Sequence, residues 1–268
     1  MSQQPVPPRV AIDELVRELH AFPASAFDKT EEILSLLAKM PVEEASLAPY
    51  LSWDRQHYTR NLIDKTDLYE LMAICWELGQ GSSVHNHRDQ NCWMAAPVGK
   101  LLVENFHVGF QDIEAGKCRL QASNTVELTA ANPCAVDPRE PVHRVLNPRE
   151  ANQRAVSLHV YSRPFDTCVV YSPEQGTCGD IRLHYNTVFG KPVPSTQYPV
   201  ASIETEDVCG RTERSAGARE IRFRTRYWQL GTGNCISRRN REEIPGSFGR
   251  RGCAMCDVVG TGSSANSA

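Results

Sequence analysis

His85-Asn86-His87, framed by Gly79 before it and Gly99 after it, constrains this chain more than any other feature. Val84 opens a short apolar and β-compatible stretch, and on a strand side chains alternate with period two. His85 and His87 therefore project from one face, offering two imidazoles to the same point in space. His143 supplies a third from a separate strand candidate, Val142–Leu146. Glycines at strand ends mark turns with unusual dihedrals, and Asn147-Pro148 signals another turn just after the third histidine. Three neutral nitrogens without a carboxylate leave a metal its full charge and open coordination positions. That suits a small anionic ligand together with oxygen, although imidazole alone does not separate iron from nickel or zinc.

The spacing is itself informative. Five residues separate Gly79 from His85, four separate His87 from Cys92, and six separate Cys92 from Gly99. This resembles the first motif of the cupin superfamily of small β-barrels, with cysteine in place of the usual glutamate. Pro138, His143 and Asn147 fit the second cupin motif, and Glu140 takes the place of a usual glycine. A more specific resemblance, to the cysteine dioxygenase family within that superfamily, runs from about Tyr50 to Pro194. It is carried by Tyr58-Thr59-Arg60-Asn61-Leu62 and by Cys75-Trp76 through His87 to Cys92. It continues in His143-Arg144-Val145 with Asn147, then in Ala155 to Ser162, and then in Pro164-Phe165-Asp166-Thr167-Cys168.

The resemblance implies a mainly β fold, a cupin-type antiparallel β-barrel of jelly-roll kind, with N-terminal helices packed outside. It also implies one Fe(II) per chain and oxidation of L-cysteine to cysteine sulfinic acid with both atoms of O2, a step of cysteine catabolism. His85, His87 and His143 match the iron ligands, and Arg60 matches the arginine that binds the substrate carboxylate. Tyr161 matches the active-site tyrosine, and Cys92 matches the cysteine joined to it by a thioether. Ser157 and His159 match partners that hydrogen-bond toward that tyrosine, and Tyr58 matches a pocket-lining tyrosine. Each role suits its residue type. Arginine presents a planar donor fork to a carboxylate. A thiolate binds iron readily, and the metal lowers its pKa.

Ser157, His159 and Tyr161 alternate on one strand and face one way, with Leu158 and Val160 packed on the other side. Read alone, the row also suggests a serine nucleophile with a base, but no glycine-framed elbow accompanies it. The chain departs from the family pattern in reading Ser162-Arg163-Pro164 where Ser-Pro-Pro with a cis bond is usual. Either that loop is trans, or a cis bond before arginine is kept at roughly 3 kcal/mol. Arg163 is also a candidate second cation near the pocket. Asn91 stands where histidine is frequent.

Two enzyme alternatives remain, dioxygenation of 3-mercaptopropionate or of cysteamine. Relatives acting on 3-mercaptopropionate lack the arginine and the linked cysteine, and cysteamine has no carboxylate for Arg60. A non-catalytic metal-binding sensor is the rival from another class.

Composition bounds the rest. The chain has 268 residues, 41% hydrophobic and 23% charged, which is ordinary for a globular protein. A net charge of -3 gives no reason to expect nucleic acid or an anionic membrane as partner. Met1-Ser2-Gln3-Gln4-Pro5 is not the start of a signal peptide. Ten cysteines without an export signal read as free thiols of a cytoplasmic protein. A monomer is expected, with L-cysteine and O2 as its partners.

Ile12, Leu15, Val16 and Leu19 share a helical face, as do Ile33, Leu36, Leu37 and Met40. Asp28 with Glu31 suggests a capping box at the second helix start, and Pro41 its end, with a short third helix toward Tyr50. Strands are expected at Tyr58–Ile63, Leu68–Leu78, Val84–His87, Leu101–Val108, Thr125–Thr129, Val142–Leu146, Ala155–Tyr161, Val169–Tyr171 and Ile181–Val188. The dioxygenase domain is placed at 1–195, with helices over 9–50 and the barrel over 57–190. Residues 196–268, rich in Gly, Arg and Ser, read as a largely disordered extension. Within it, Cys253 and Cys256 with Cys209 and Cys235 make a weak candidate zinc site, irregular in spacing.

Overall fold

The computed structural model describes residues 7–194, so the extension and its four cysteines lie outside the described residues. Three helices come first: α1 (Ile12–Ala21), α2 (Thr30–Lys39) and the short α3 (Glu44–Leu47). Strands follow as β1 (Thr59–Lys65), β2 (Glu70–Trp76), β3 (Val84–His85), β4 (Asn91–Val98), β5 (Leu101–Asp112), β6 (Lys117–Leu128) and β7 (Cys134–Ala135). After these come β8 (Val142–Leu146), β9 (Ala155–Ser162), β10 (Thr167–Ser172), β11 (Thr177–Arg182), β12 (Thr187–Val188) and β13 (Lys191–Pro192).

The strands form two sheets. One has the order β13-β12-β1-β2-β9-β4-β7, and in the other β10-β11-β6-β5-β8-β3 pair in a closed ring. Nearly all pairings are antiparallel; β1 with β12 is parallel. This is the mainly β, cupin-type architecture expected from the sequence.

The first sheet is buried on both faces. Leu71, Ala73 and Cys75 of β2, with Val156, Leu158 and Val160 of β9, pack against Ile12, Leu15 and Leu19 of α1 and Ile33, Leu36 and Leu37 of α2. Met72, Ile74 and Trp76 point the other way, into a second core with Cys92, Met94 and Tyr161. Burying one of these large side chains contributes roughly 1.5–3 kcal/mol, so the helical layer is integral to the sheet's stability.

Double burial also explains where the sequence pattern failed. β4 reads Asn-Cys-Trp-Met-Ala-Ala-Pro-Val and was not anticipated, because a strand covered on both sides shows no polar alternation. The β5–β6 hairpin runs well beyond the expected 101–108 and 125–129, since its outer half is exposed and polar. The segment expected as one strand over 181–188 is divided between β11 and β12.

The capping box at Asp28 is not formed. The N-cap of α2 is Lys29, without a side-chain cap, because the turn at Ala24–Ala26 and buried Phe27 set the entry one residue later. Glu32 is then bonded by Lys29 Nζ at 2.9 Å. Among the described residues no helix is long and apolar enough to cross a membrane.

Candidate metal centre

Backbone pairing brings the histidines together. His85 on β3 lies directly opposite His143 on β8, and His87 follows two residues along. The intervening Asn86 faces away and is tied down: its N–H donates to Val169 O (3.1 Å), and its Oδ1 accepts from Val169 N–H (3.0 Å). Arg88 and Asp89 then adopt left-handed backbone with φ of 53° and 64°, turning the chain away.

Upstream, Ser82 clamps the loop to β8, donating from its N–H to Val145 O (2.9 Å) and accepting at Oγ from Val145 N–H (3.0 Å). Gly81 packs closely there: a Cβ would sit 2.3 Å from Leu146 Cδ2 and 3.2 Å from Val145 O, so a side chain would have to displace Leu146. Asn147 locks the same turn. Its Nδ2 donates to Trp76 O (3.1 Å), Glu77 O (3.3 Å) and Gln153 O (3.1 Å).

One donor atom from each of the three histidines lies within 4.8 Å of the others. His87 and His143 are buried, yet none of their four ring nitrogens has a hydrogen-bond partner. Unpartnered buried polar atoms are rare, and here they converge, so the donor set fits a metal. His85 donates from Nδ1 to Ser83 O (2.8 Å), which leaves its Nε2 for the same point. Burial pushes the His85 pKa down to about 4 and those of His87 and His143 well below the usual value, with repulsion between neighbouring rings adding to the latter two. All three are therefore neutral ligands at pH 7, and protons do not compete for them.

His85 and His87 open into a cavity of about 50 Å³, also lined by Tyr58, Arg60, Trp76, His159, Tyr161, Phe165 and Cys168. At roughly 15 Å³ per water this holds about three waters, or one small ligand. Arg60, on β1, is 8% exposed; its Nη2 meets Met72 Sδ at 3.6 Å and its Nη1 has no partner. A buried cation so placed awaits an anion. Tyr58 stacks on Trp76 with ring centroids 4.7 Å apart.

Cys92 of β4 lies directly opposite Tyr161 of β9, both are buried, and the thiol is in hydrogen-bonding reach of the phenol. Burial raises both pKa values well above normal, so both groups keep their protons. Along β9 a chain of contacts leads to the phenol. Trp76 Nε1–H donates to Ser157 Oγ (2.9 Å), Ser157 Oγ bonds His159 Nε2 (2.8 Å), and His159 Nδ1 bonds Tyr161 Oη (3.0 Å). Burial lowers the His159 pKa to about 3, so the ring is neutral, with one nitrogen donating and the other accepting.

Most residues singled out in the sequence reach this one region: His85, His87, Arg60, Tyr58, Tyr161 and His159 line the cavity, His143 converges with His85 and His87, Ser157 bonds His159, and Cys92 lies opposite Tyr161. Arg163 does not. The Ser162–Arg163 peptide is cis, and the guanidinium reaches Asp67 O at 3.4 Å rather than the cavity. Asn91 likewise turns outward, donating to Phe27 O at 3.0 Å. Sequence reasoning missed Phe165, whose ring sits 5.8 Å from His87 and 5.2 Å from Tyr161, and the donor role of Trp76. Trp76 was legible in principle, since it shares its strand face with Met72 and Ile74.

Comparison with known proteins follows the same direction. The family model for cysteine dioxygenase type I matches residues 1–174. The cysteine dioxygenase type 1 of Rattus norvegicus is 33% identical over 191 residues, 70% of this chain and 92% of that protein. That of Homo sapiens is 30% identical over 190 residues, with 70% and 92% covered. That of Danio rerio is 28% identical over 197 residues, with 72% and 95% covered. Among solved structures, a double-stranded β-helix protein from Klebsiella pneumoniae aligns at 14% identity over 51% of this chain and 88% of that one, with a TM-score of 0.34.

Proposed function

The chain belongs to the cysteine dioxygenase type I family, and from that premise we propose how its own residues carry out the oxidation of cysteine to cysteine sulfinic acid with O2. The carrying observation is that two of three converging imidazoles line one small cavity together with a buried guanidinium whose Nη1 has no hydrogen-bond partner. A small amino acid with a thiol at one end and a carboxylate at the other answers both.

His85, His87 and His143 would hold ferrous iron. When bound, that iron supplies open coordination positions for the thiolate and for O2, and the electrons by which O2 is activated. Arg60 grips the carboxylate through its fork and so fixes the sulfur's distance from the histidines.

We assign the proton on Tyr161 from the chain behind it. Trp76 only donates, so it fills one lone pair of Ser157 Oγ, and in the arrangement we assign the Ser157 hydrogen goes to His159 Nε2. His159 then carries its hydrogen on Nδ1 and donates to Tyr161 Oη. The Tyr161 hydroxyl hydrogen is left free to point into the cavity, where it can orient substrate or oxygen. Cys92 is placed for a thioether with the Tyr161 ring. That bond replaces one S–H and one ring C–H, a two-electron oxidation for which O2 is the acceptor.

Of the alternative thiols, cysteamine would leave the Arg60 charge buried and unpaired, and 3-mercaptopropionate would keep the carboxylate contact but lose the amine. L-Cysteine is the substrate we assign. We further read the protein as a cytoplasmic monomer. Six free thiols among the described residues support a reducing compartment, and a net charge of -3 supports solubility. Residues 1–195 are read as the catalytic domain.

The test is oxygen uptake by Fe(II)-loaded protein given L-cysteine, 3-mercaptopropionate or cysteamine, with products identified by mass. Uptake matched by cysteine sulfinate, and weak with the other two, is expected. Uptake without sulfinate, or none despite bound iron, would overturn this reading.

A further inference from the structure

Resting on the carboxylate-binding role assigned to Arg60, a second group of residues around that arginine has a role of its own. Arg60 is held at its backbone by Asn186: its N–H donates to Asn186 Oδ1 (2.8 Å), and its carbonyl accepts from Asn186 N–H (2.7 Å). Its head is held differently. Nη1 has no partner and Nη2 has only the weak acceptor Met72 Sδ, so no hydrogen-bonding oxygen fixes the direction of those two nitrogens. The neighbouring Tyr185 ring lies beside it, with its centroid 5.8 Å from Arg60 Cζ, within reach of a cation–π contact.

That ring is braced. Its hydroxyl donates to Glu70 Oε2 and accepts from Lys65 Nζ (3.2 Å), which also lies 5.6 Å from the ring centroid. Glu70 is fully buried, and its Oε1 has no hydrogen-bond partner. Glu70 Oε2 is engaged by the Tyr185 hydroxyl and by Lys65 Nζ (3.4 Å) and makes no hydrogen bond to Arg60, whose fork stays open for an incoming carboxylate. Tyr185 and Asn186 both lie beyond residue 174, where the family match ends.

We propose that Tyr185, braced by Glu70, is the positioning residue that aims Arg60 at the substrate carboxylate and thereby sets selectivity for carboxylate-bearing thiols. Two substitutions separate its parts. Tyr185→Phe keeps the ring and loses the brace, while Tyr185→Leu loses both.

The measurements are steady-state kinetics of the iron-loaded full chain and anaerobic calorimetric titration with L-cysteine and cysteamine. Tyr185→Leu is expected to raise both KM and Kd for L-cysteine about three- to ten-fold, the range of a partly desolvated cation–π contact. The rise should exceed any fall in kcat, and the ratio of cysteamine to cysteine Kd should shrink by the same factor. Tyr185→Phe is expected to give about a two-fold rise, since only a brace is lost.

In an Arg60→Ala background Tyr185→Leu should add nothing further, because the group it aims is gone. Independent multiplication of the two effects, or an unchanged Kd in Tyr185→Leu, overturns the proposal. If circular dichroism shows Tyr185→Leu misfolded, the same cycle with Tyr185→Phe decides. An Arg60→Ala enzyme with normal KM and Kd would instead defeat the carboxylate reading on which the inference stands.

Discussion

At the scale of single residues, the site is a set of buried polar atoms that make no hydrogen bonds within the protein. The ring nitrogens of His87 and His143 and Nη1 of Arg60 are such atoms, so a metal or an anion bound to them would add to stability. Removing His143 deletes one donor and leaves the fold's apolar contacts untouched. His143→Ala is therefore expected to lose metal in elemental analysis and to fall at least about a hundred-fold in sulfinate formation, with an unchanged circular dichroism spectrum. Retained metal and activity would remove His143 from the ligand set.

Arg60→Ala deletes a charged hydrogen-bond pair of roughly 1.5–3 kcal/mol, which predicts a KM for L-cysteine raised about ten- to hundred-fold. The change belongs in KM more than in kcat, because the carboxylate contact is made in the bound substrate and the transition state alike. Ser157→Ala strands Trp76 Nε1–H and His159 Nε2 in the core. Denaturant unfolding is expected to show a loss of about 1–3 kcal/mol, and peptide mass spectrometry a smaller fraction of Cys92–Tyr161 thioether. Wild-type stability and cross-linking together would break the proton chain drawn above.

At the scale of elements, the candidate metal centre is assembled by the pairing of a two-residue strand. β3 is only Val84–His85, too short to hold register by itself, and the turns around it do that work. Asn147, just past β8, binds three carbonyls from two segments and thus couples the third histidine's strand to the loop before the first. Asn147→Ala is expected to destabilise by about 2 kcal/mol and to weaken metal retention in a chelator challenge more than a core truncation of equal stability would. Equal loss in both would reduce Asn147 to a packing role.

Element boundaries followed the sequence in β8 and, to within one residue, in the doubly buried β9, and failed in β4 and in the exposed outer half of β5 and β6. β8 was legible to the residue, whereas β4 carried no alternation. The Asp28 capping box failed for a related reason, because Phe27 is drawn into the core and carries the helix start with it.

At the scale of the whole molecule, the described residues, 7–194, already include every residue named in the candidate site. A chain ending at residue 195 is accordingly expected to bind iron and oxidise cysteine with kcat/KM within about three-fold of the full protein, since only contacts outside the assigned domain are removed. A collapse of activity in a folded, truncated chain would assign the extension a part in catalysis.

The sequence by itself determined the chemistry. Two histidines at alternating strand positions must share a face, and so must Ser157, His159 and Tyr161, because the β pleat has period two whatever surrounds it. The motifs around Arg60, Cys92, His143 and Tyr161 then carried the resemblance that implied the family and the reaction. Only the tertiary structure decided which strands become neighbours: that His85 faces His143 across one ladder, that Cys92 faces Tyr161 across another, and that Tyr185 and Glu70 gather behind Arg60. Such neighbours are distant along the chain, and no local pattern records them. They arise when two faces of one sheet are buried at once and the register with the most complete packing prevails.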